Sequence, residues 1–569
     1  MLRAAPAQRT AFDPAKCSCL EPLRLALDHR NGGRTIIVQG FFDGDNVYRI
    51  RFSPPKEGRW HYTTASSHAA MHGRTGKFLV IPAPASKRGP VNPRSFGLYH
   101  ADGSPHFSVG TTAYAWPSQP AAVRQQTLET LRKGFFNKVR MSPFPKRYQY
   151  NNANPVEAGA AFEILPGSAA SDPSVWGCVG PTCPPTNGSF NLRRFNVTFW
   201  RNFEGLVQQM GEMNVIADII LFHPYDGGHW GFDCLGGREA EGYQTAHDRF
   251  YLRYIIARLG AYSNVWWSLA NEWPYVRCKA RGTDQSLFRN PSLTEASPAP
   301  VWDELFIVLD AYDAHKRMRS IHNAELLYDY SRHWITHISL QGVDPKGVGY
   351  TKRLRQSTAA LRTRYGKPVI WDEVWYEGNM PCSEETGSGC IWGALSAEAM
   401  ADRFWLGASL GAYVGHGETM ARDATLLQHN VEAPLWWAKG GKLAGRSPQM
   451  IKWFGEVWAA VLASVDFPAL VPGTLPHGGG ETAAETLVDP LGSFMFIHAG
   501  FAGEWAMPLP VGAEDWLVGH IRFASMRWEN STLPHGTKHA TLKCNAPPCN
   551  FMIFRQYQGK PLIDWDPFR

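Results

Sequence analysis

From Gly33 to about Pro84 the apolar positions fall in short runs with the two-residue rhythm of strands. Thr35-Ile-Ile-Val, Asn46-Val-Tyr-Arg-Ile-Arg-Phe, Arg59-Trp-His-Tyr-Thr-Thr and Lys77-Phe-Leu-Val-Ile are parted by Asp-Gly, Pro-Pro and Gly-rich turns. Short strands with regular turn punctuation predict a β-sandwich. The Pro-rich stretch from Pro82 to Pro93 reads as a linker after it.

From His106 the pattern changes to a strand followed by an amphipathic helix, repeated eight times in about 350 residues. The strand candidates are His106–Trp116, Phe136–Pro145, Val215–Pro224, Asn264–Glu272, Arg319–Glu325, Ile335–Gly342, Pro368–Val374 and Ala412–Thr419. Phe199, Phe203, Leu206, Val207 and Met210 mark one helical stripe, and Leu252, Ile255, Ile256 and Leu259 another. Ser447-Pro448 opens the last helix as a cap followed by a first-turn proline. Nearly all-apolar strands alternating with helices predict a parallel sheet covered on its outer face. Eight such units predict a (β/α)8 TIM barrel.

Beyond about Ser464 the helical period stops. Glu485-Thr-Leu-Val, Ser493-Phe-Met-Phe-Ile-His, Glu504-Trp-Ala-Met and His539-Ala-Thr-Leu-Lys predict a second β-sandwich. The expected division is therefore an Ig-like β-sandwich over residues 1–95, a catalytic barrel over 96–462 and a C-terminal β-sandwich over 463–569. A chain of 569 residues is too long for a single core, which agrees with several domains.

Two strand candidates end in carboxylates. Asn264-Val-Trp-Trp-Ser-Leu-Ala-Asn271-Glu272 is the fourth and Pro368-Val-Ile-Trp-Asp-Glu373 the seventh. A TIM barrel gathers its active site at the C-terminal ends of its strands, and cleaving a glycosidic bond requires two carboxylates, one to protonate the leaving oxygen and one to attack or activate water. The plain structural reading of either glutamate is a rim salt bridge. Glu377 and Glu418 are rival carboxylates near the same mouth, whereas Asp372 should point away from it, since side chains alternate along a strand. Tyr114, Trp116, Phe144, His223, Tyr225, Trp273, Trp371, Trp375, Tyr376 and His416 fall around that mouth. Each is either barrel packing or a surface for sugar, whose C–H faces stack on aromatic rings.

Composition narrows the partners. The net charge of +7 comes from 57 basic and 50 acidic residues without a basic block, so no nucleic acid is expected. No apolar run reaches the length of a membrane span. The 22 tryptophans suit either a well-filled core or sugar platforms. Ten cysteines include the close pairs Cys17/Cys19, Cys178/Cys183, Cys382/Cys390 and Cys544/Cys549, leaving Cys234 and Cys278 to pair with each other. None has zinc-finger spacing, so disulfides and an extracytoplasmic location are expected, although no signal peptide is visible at the N-terminus. His223, Asp226, His229 and Asp233 have metal-ligand chemistry, but histidines six apart on a loop read as pocket residues, and neither metal nor cofactor is expected.

Asn-Glu at the fourth strand and Glu at the seventh resemble the clan A glycoside hydrolases, the superfamily of family-5-like retaining enzymes. Gly110-Thr-Thr-Ala-Tyr-Ala-Trp116, Phe136-Asn-Lys-Val-Arg-Met141, Phe222-His-Pro-Tyr-Asp226 and Gly415-His-Gly-Glu-Thr419 resemble a bacterial glycosidase family more closely. Its members join an N-terminal β-sandwich, an apiosidase-like barrel and a C-terminal β-domain. The chain departs from that pattern in lacking an evident first strand at its N-terminus and in an insertion at Gly227-Gly-His229. The resemblance implies that Glu272 is the acid/base and Glu373 the nucleophile of a retaining reaction on a β-linked poly- or oligosaccharide. It also implies that Asn271 donates to the sugar 2-hydroxyl and that Arg140 keeps Glu373 ionised. Tyr114, Trp116, His223, Tyr225, Trp273, Trp375, Tyr376, His416 and Glu418 complete the expected substrate-binding set. The long eighth loop, from His416 to Arg446 with Trp436-Trp437, is expected to wall one side of the site and favour terminal sugars. The competing expectation is a catalytically silent carbohydrate-binding protein on the same fold, which the intact Asn271, Glu272 and Glu373 oppose. A peptidase or esterase is disfavoured because the chain has no HExxH and no GxSxG motif.

Overall fold

The computed structural model describes residues 2–3, 24–29, 35–144, 160–172, 189–222, 246–275, 300–324, 326–341, 350–378, 395–420, 436–443, 445–477, 483–512, 514–557 and 560–561. All eight expected barrel strands form. They are β1 (Val109–Thr112), β2 (Lys138–Met141), β3 (Ile216–Phe222), β4 (Val265–Ala270), β5 (Arg319–Ser320), β6 (Ile338–Gln341), β7 (Val369–Glu373) and β8 (Tyr413–His416). They make one sheet in the order β5-β4-β3-β2-β1-β8-β7-β6. The last strand pairs in parallel with the first, Val414 opposite Val109 and His416 opposite Thr111. Sequential neighbours closed from last to first define a (β/α)8 barrel, here flanked by β-rich regions.

The helices are α1 (Ala121–Lys133), α2 (Val197–Glu212), α3 (Ala246–Leu259), α4 (Pro300–Tyr312), α5 (Tyr350–Tyr365), α6 (Ala397–Ser409), α7 (Trp436–Lys439) and α8 (Ser447–Val461). The five apolar positions picked out on α2 are all buried, and Asn196 caps this helix by accepting from the Phe199 N–H at 3.1 Å. No helix lies among the described residues between β5 and β6. Instead Thr336 returns to β5, its N–H donating to the Arg319 carbonyl at 2.9 Å.

The chain divides into two compact units. One comprises Met1–Asn92, Ala113–Gln125 and Arg140–Thr336, and the other Pro93–Thr112, Gln126–Val139 and His337–Arg569. In the first unit, six N-terminal strands form a sheet. Two of them precede Gly33, Leu2–Arg3 and Arg24–His29, so the first strand is not missing. Arg24–His29 pairs on both sides, with Ile36–Phe42 and Gly58–Ala65. Its polar ends and only two large apolar residues, Leu25 and Leu27, leave a weak pattern. This sheet is joined to the barrel helices by charge. Asp43, almost fully buried, receives Arg258 of α3 at 2.8 Å and Arg201 of α2 at 3.4 Å. Burial alone would raise the Asp43 carboxyl, but Arg49, Arg258 and Arg201 outweigh it and hold it below its ordinary value.

In the second unit the C-terminal β-region sets a seven-stranded sheet beside the pair Gly503–Pro508 and His539–Cys544. Ile497, Trp505, Trp516, Leu542 and Phe551 are among its core residues. Cys544 and Cys549 form the expected disulfide. The other eight cysteines lie outside the described residues. The expected cap on α8 needs correction. Ser447 is the first helical residue, the flanking Arg446 makes no side-chain cap, and the capping oxygens come from Glu377. No helix among the described residues is long and apolar enough to cross a membrane.

Candidate active site

The first unit holds the Asn-Glu pair. β4 is buried along its whole length, and its continuation is fixed on both sides by backbone bonds. The Asn271 N–H donates to the Phe222 carbonyl ending β3 at 3.0 Å, and the Trp273 N–H donates to the His322 carbonyl beyond β5 at 3.2 Å. Between them Glu272 adopts a φ of 50°, a left-handed conformation uncommon for a residue with a Cβ. Such strain collects at functional sites, where the surroundings over-determine the backbone.

Asn271 is fully buried and its Oδ1 accepts two donors. One is Arg140 Nη2, from β2, and the other is the Tyr114 hydroxyl at 3.3 Å. The Arg140 guanidinium lies 5.9 Å from the Tyr114 ring centre. Two donors on the amide oxygen fix the amide's orientation, so the NH2 side must serve as the donor side.

The second unit holds Glu373, buried at the end of β7, with its Oε2 accepting the Tyr376 hydroxyl at 3.2 Å. The residues before it show how the strand is used. Trp371 sends its indole N–H to Thr358 Oγ1 on α5 at 2.9 Å, so it packs against the outer helix and is not part of the mouth. Asp372 is turned to the opposite side and takes Lys138 of β2 and Ser339 of β6. β1 and β8 lie between β2 and β7 in the sheet, so this buried ion pair spans the barrel interior. It passes over Gly110, where an added Cβ would stand 3.3 Å from Lys138 Cε. Strict alternation would then send Glu373 outward with Trp371. A bulge against β6, where Leu340 opposes Trp371 but Gln341 opposes Glu373, breaks that alternation.

Several aromatic positions are packing. Trp116 is fully buried with its N–H on the Met141 sulfur at 3.2 Å. Phe144 is buried against Tyr251 at 5.3 Å. Trp273 is buried edge-on to Tyr328 at 5.6 Å. His416 is fully buried, its Nε2 is 3.1 Å from the Ser447 hydroxyl, and burial pushes its pKa down to about 3. It is therefore a neutral, packed ring. Trp436 and Trp437 are also buried, and Trp436 donates to Thr111 Oγ1 on β1 at 2.8 Å, so this end of the eighth loop is packed onto the barrel. Trp375 and Tyr376 are buried just past Glu373, and Trp375 has a φ of 92°, an outlier for so large a residue. Glu418 opens the short strand Glu418–Met420, which pairs in parallel with Tyr376–Gly378.

His223 and Tyr225 lie outside the described residues, as do Asp226, His229 and Asp233. Among the described residues no group of three or more His, Cys, Asp or Glu is placed to hold a metal ion. Sequence reasoning missed the Lys138–Asp372 pair and the capping role of Glu377. A charged residue at an interior strand position was the available signal for the first.

A parallel barrel with carboxylates ending β4 and β7 defines a glycoside hydrolase-like protein of the clan A kind. Residues 93–418 match the apiosidase-like catalytic domain family. With more than half of its length matched, the chain belongs to that family. Residues 20–67 match a domain of unknown function, DUF5060. The solved structure of a "putative glycoside hydrolase" from Bacteroides vulgatus ATCC 8482 is 28% identical, with a TM-score of 0.72 over 95% of this chain and 96% of that one. A glycoside hydrolase family 5 structure from the same strain shares the fold at 12% identity, with a TM-score of 0.56 over 83% of this chain and 95% of that one. Comparison with curated proteins gives no match.

Proposed function

We propose that the protein is a retaining glycosidase that cleaves β-linked sugars by double displacement, with Glu272 as acid/base and Glu373 as nucleophile. The observation that carries this reading is the support given to each carboxylate's neighbourhood. Asn271, beside Glu272, is held by Arg140 and Tyr114, and Glu373 is held by Tyr376. In a barrel of this kind the ends of β4 and β7 belong to the catalytic face by the general rule of the fold. The reaction then runs in two steps. Glu373 attacks the anomeric carbon while Glu272 gives its proton to the leaving oxygen. Water, deprotonated by Glu272, then releases the sugar from Glu373 with its original configuration. Asn271 supplies the donor for the 2-hydroxyl, and the Tyr376 hydroxyl steadies the attacking carboxylate. Tyr114 and Arg140 act through Asn271.

Release of terminal sugars is part of the proposal. The fixing of both described ends of the eighth loop supports it, since Glu418–Met420 pairs in parallel with Tyr376–Gly378 just past β7 and Trp436 donates to Thr111 on β1. We read residues 1–95, 96–462 and 463–569 as the three working segments, a division supported by the family match from residue 93. The Cys544–Cys549 disulfide supports an extracytoplasmic location. A panel of aryl pyranosides and furanosides, with the first-formed anomer followed by proton NMR, tests the reaction. Retained configuration is expected, and inversion or inertness toward every glycoside contradicts it. On a polymer, monosaccharide from the first minutes is expected, whereas an early ladder of oligosaccharides refutes terminal action.

A further inference from the structure

Glu377 is a buried carboxylate, four residues past Glu373, for which the reaction above has no use. Its surroundings give it one. Its Oε1 accepts the Arg446 N–H at 2.9 Å and its Oε2 accepts the Ser447 N–H at 3.0 Å. These N–H groups open α8, a fifteen-residue helix whose own flanking residue provides no side-chain cap. A carboxylate on two orphan N–H groups at a helix N-terminus is favoured by hydrogen bonding and by the helix dipole together. Pro448, in the first turn, has no N–H to offer, and Glu377 takes the two N–H groups that precede it.

The segment held in this way carries the residue that touches Glu373. Tyr376, next to Glu377, donates to Glu373 Oε2, and its own carbonyl accepts the Leu395 N–H at 3.2 Å. Trp375, one residue earlier, has a φ of 92°. A bulky side chain does not hold that conformation by its own preference, so something must hold the backbone there. Tight packing contributes on one side, because a Cβ on Gly417 would stand 2.3 Å from the Trp375 carbonyl oxygen. On the other side the restraint is Glu377, whose segment also pairs with Glu418–Met420. His416 completes the assembly through the Ser447 hydroxyl, at the same helix start.

We propose that Glu377 is a positioning residue: by clamping Tyr376–Gly378 to the N-terminus of α8 it keeps the Tyr376 hydroxyl on the Glu373 carboxylate. It touches no reacting atom. Its catalytic consequence rests on the glycosidase reading, but its geometry does not. Glutamine at this position keeps one acceptor and sets an N–H donor against the second backbone N–H, so the clamp is half lost.

The test uses the full chain with 3-fluorotyrosine at position 376, whose 19F resonance reports the hydrogen bond of the phenol. Glu373→Gln marks where the line lies once the carboxylate acceptor is gone. Glu377→Gln is expected to move the line in the same direction and to broaden it. On any aryl glycoside turned over by the protein it is expected to lower kcat about tenfold, with KM little changed. A role confined to folding would reduce the yield of folded protein and leave the line of the folded fraction in place, which overturns the proposal. If Glu377→Gln gives no folded protein, Glu377→Asp replaces it, since it keeps the charge but is one methylene short of the two N–H groups. The fluorine result decides the clamp even if no glycoside is cleaved, so a failure of the positioning claim and a failure of the glycosidase reading remain separable.

Discussion

Arg140 on β2 donates to the side-chain oxygen of Asn271, the residue that precedes Glu272. This contact, with Tyr114 on the same oxygen, fixes the orientation of the Asn271 amide, and the proposed reaction uses its NH2 as a donor. Asn271→Asp keeps the acceptor for Arg140 and removes the NH2. Its fold is expected to survive, while kcat/KM falls about a hundredfold, or about 2.7 kcal/mol of transition-state stabilisation. Equal kcat/KM in the variant and the parent, with unchanged thermal stability, would remove Asn271 from the sugar site.

The Lys138–Asp372 pair has almost no exposed surface, and neither charge can be left alone cheaply. Lys138→Met is expected to destabilise the fold by about 3–5 kcal/mol, because it strands a buried carboxylate. The double change Lys138→Met with Asp372→Leu should recover much of that loss. Urea unfolding of the three proteins measures it, and a double variant no better than the single one contradicts the pairing.

The fold shows how far the pattern of residues reaches. The eight barrel strands were legible because strands buried on both faces must be apolar throughout, as in Val265–Ala270. Even the two-residue β5 left a trace in Arg319–Ser320. Arg24–His29 was not legible, since a strand stabilised by neighbours on both sides need not advertise itself in its own residues. The two glutamates could be found from their place at strand ends. Arg140, Asn271, Tyr114 and Tyr376 could be picked out as well, but not the bonds between them: Arg140 was expected on Glu373 and donates to Asn271, 131 residues away. Packing roles were also hidden: Trp116, Trp371 and His416 have the chemistry of sugar contacts and the burial of core residues. Only tertiary structure separates those two uses of a ring.

Acid should weaken the protein through its buried histidines. Burial pushes His416 and His337 down to about 3, and burial with Arg317 nearby pushes His315 down to about 4. Unfolded, each binds a proton below its ordinary value of 6.5, while the folded chain keeps it neutral. Their contribution is therefore fully present above about 6.5 and is lost as the pH falls toward those lowered values. Unfolding free energy measured from pH 7 to 4 should fall with a slope reporting proton uptake, and His416→Gln should flatten it. An unchanged slope in that variant would mean that His416 titrates freely.

Cys544 and Cys549 close a loop with a sequence separation of only five, so the bridge constrains a short stretch of chain. Cys544→Ser with Cys549→Ser is expected to cost about 2 kcal/mol, less than the loss of a bridge across a long loop, since closure entropy grows with loop length. Peptide mapping under non-reducing conditions should find the two joined in the parent protein. Free thiols at both positions would also withdraw the support they lend to an extracytoplasmic location.

The assignment of Glu373 as nucleophile is tested most directly by the product that Glu373→Ala forms with azide. A small anion can occupy the space left by the missing carboxylate and attack from the same face, a single displacement. Given a β-glycoside with a good leaving group, the variant is expected to be inert alone and to form the α-glycosyl azide when azide is added. A β-glycosyl azide, or full hydrolytic activity in the variant without azide, would contradict the assignment.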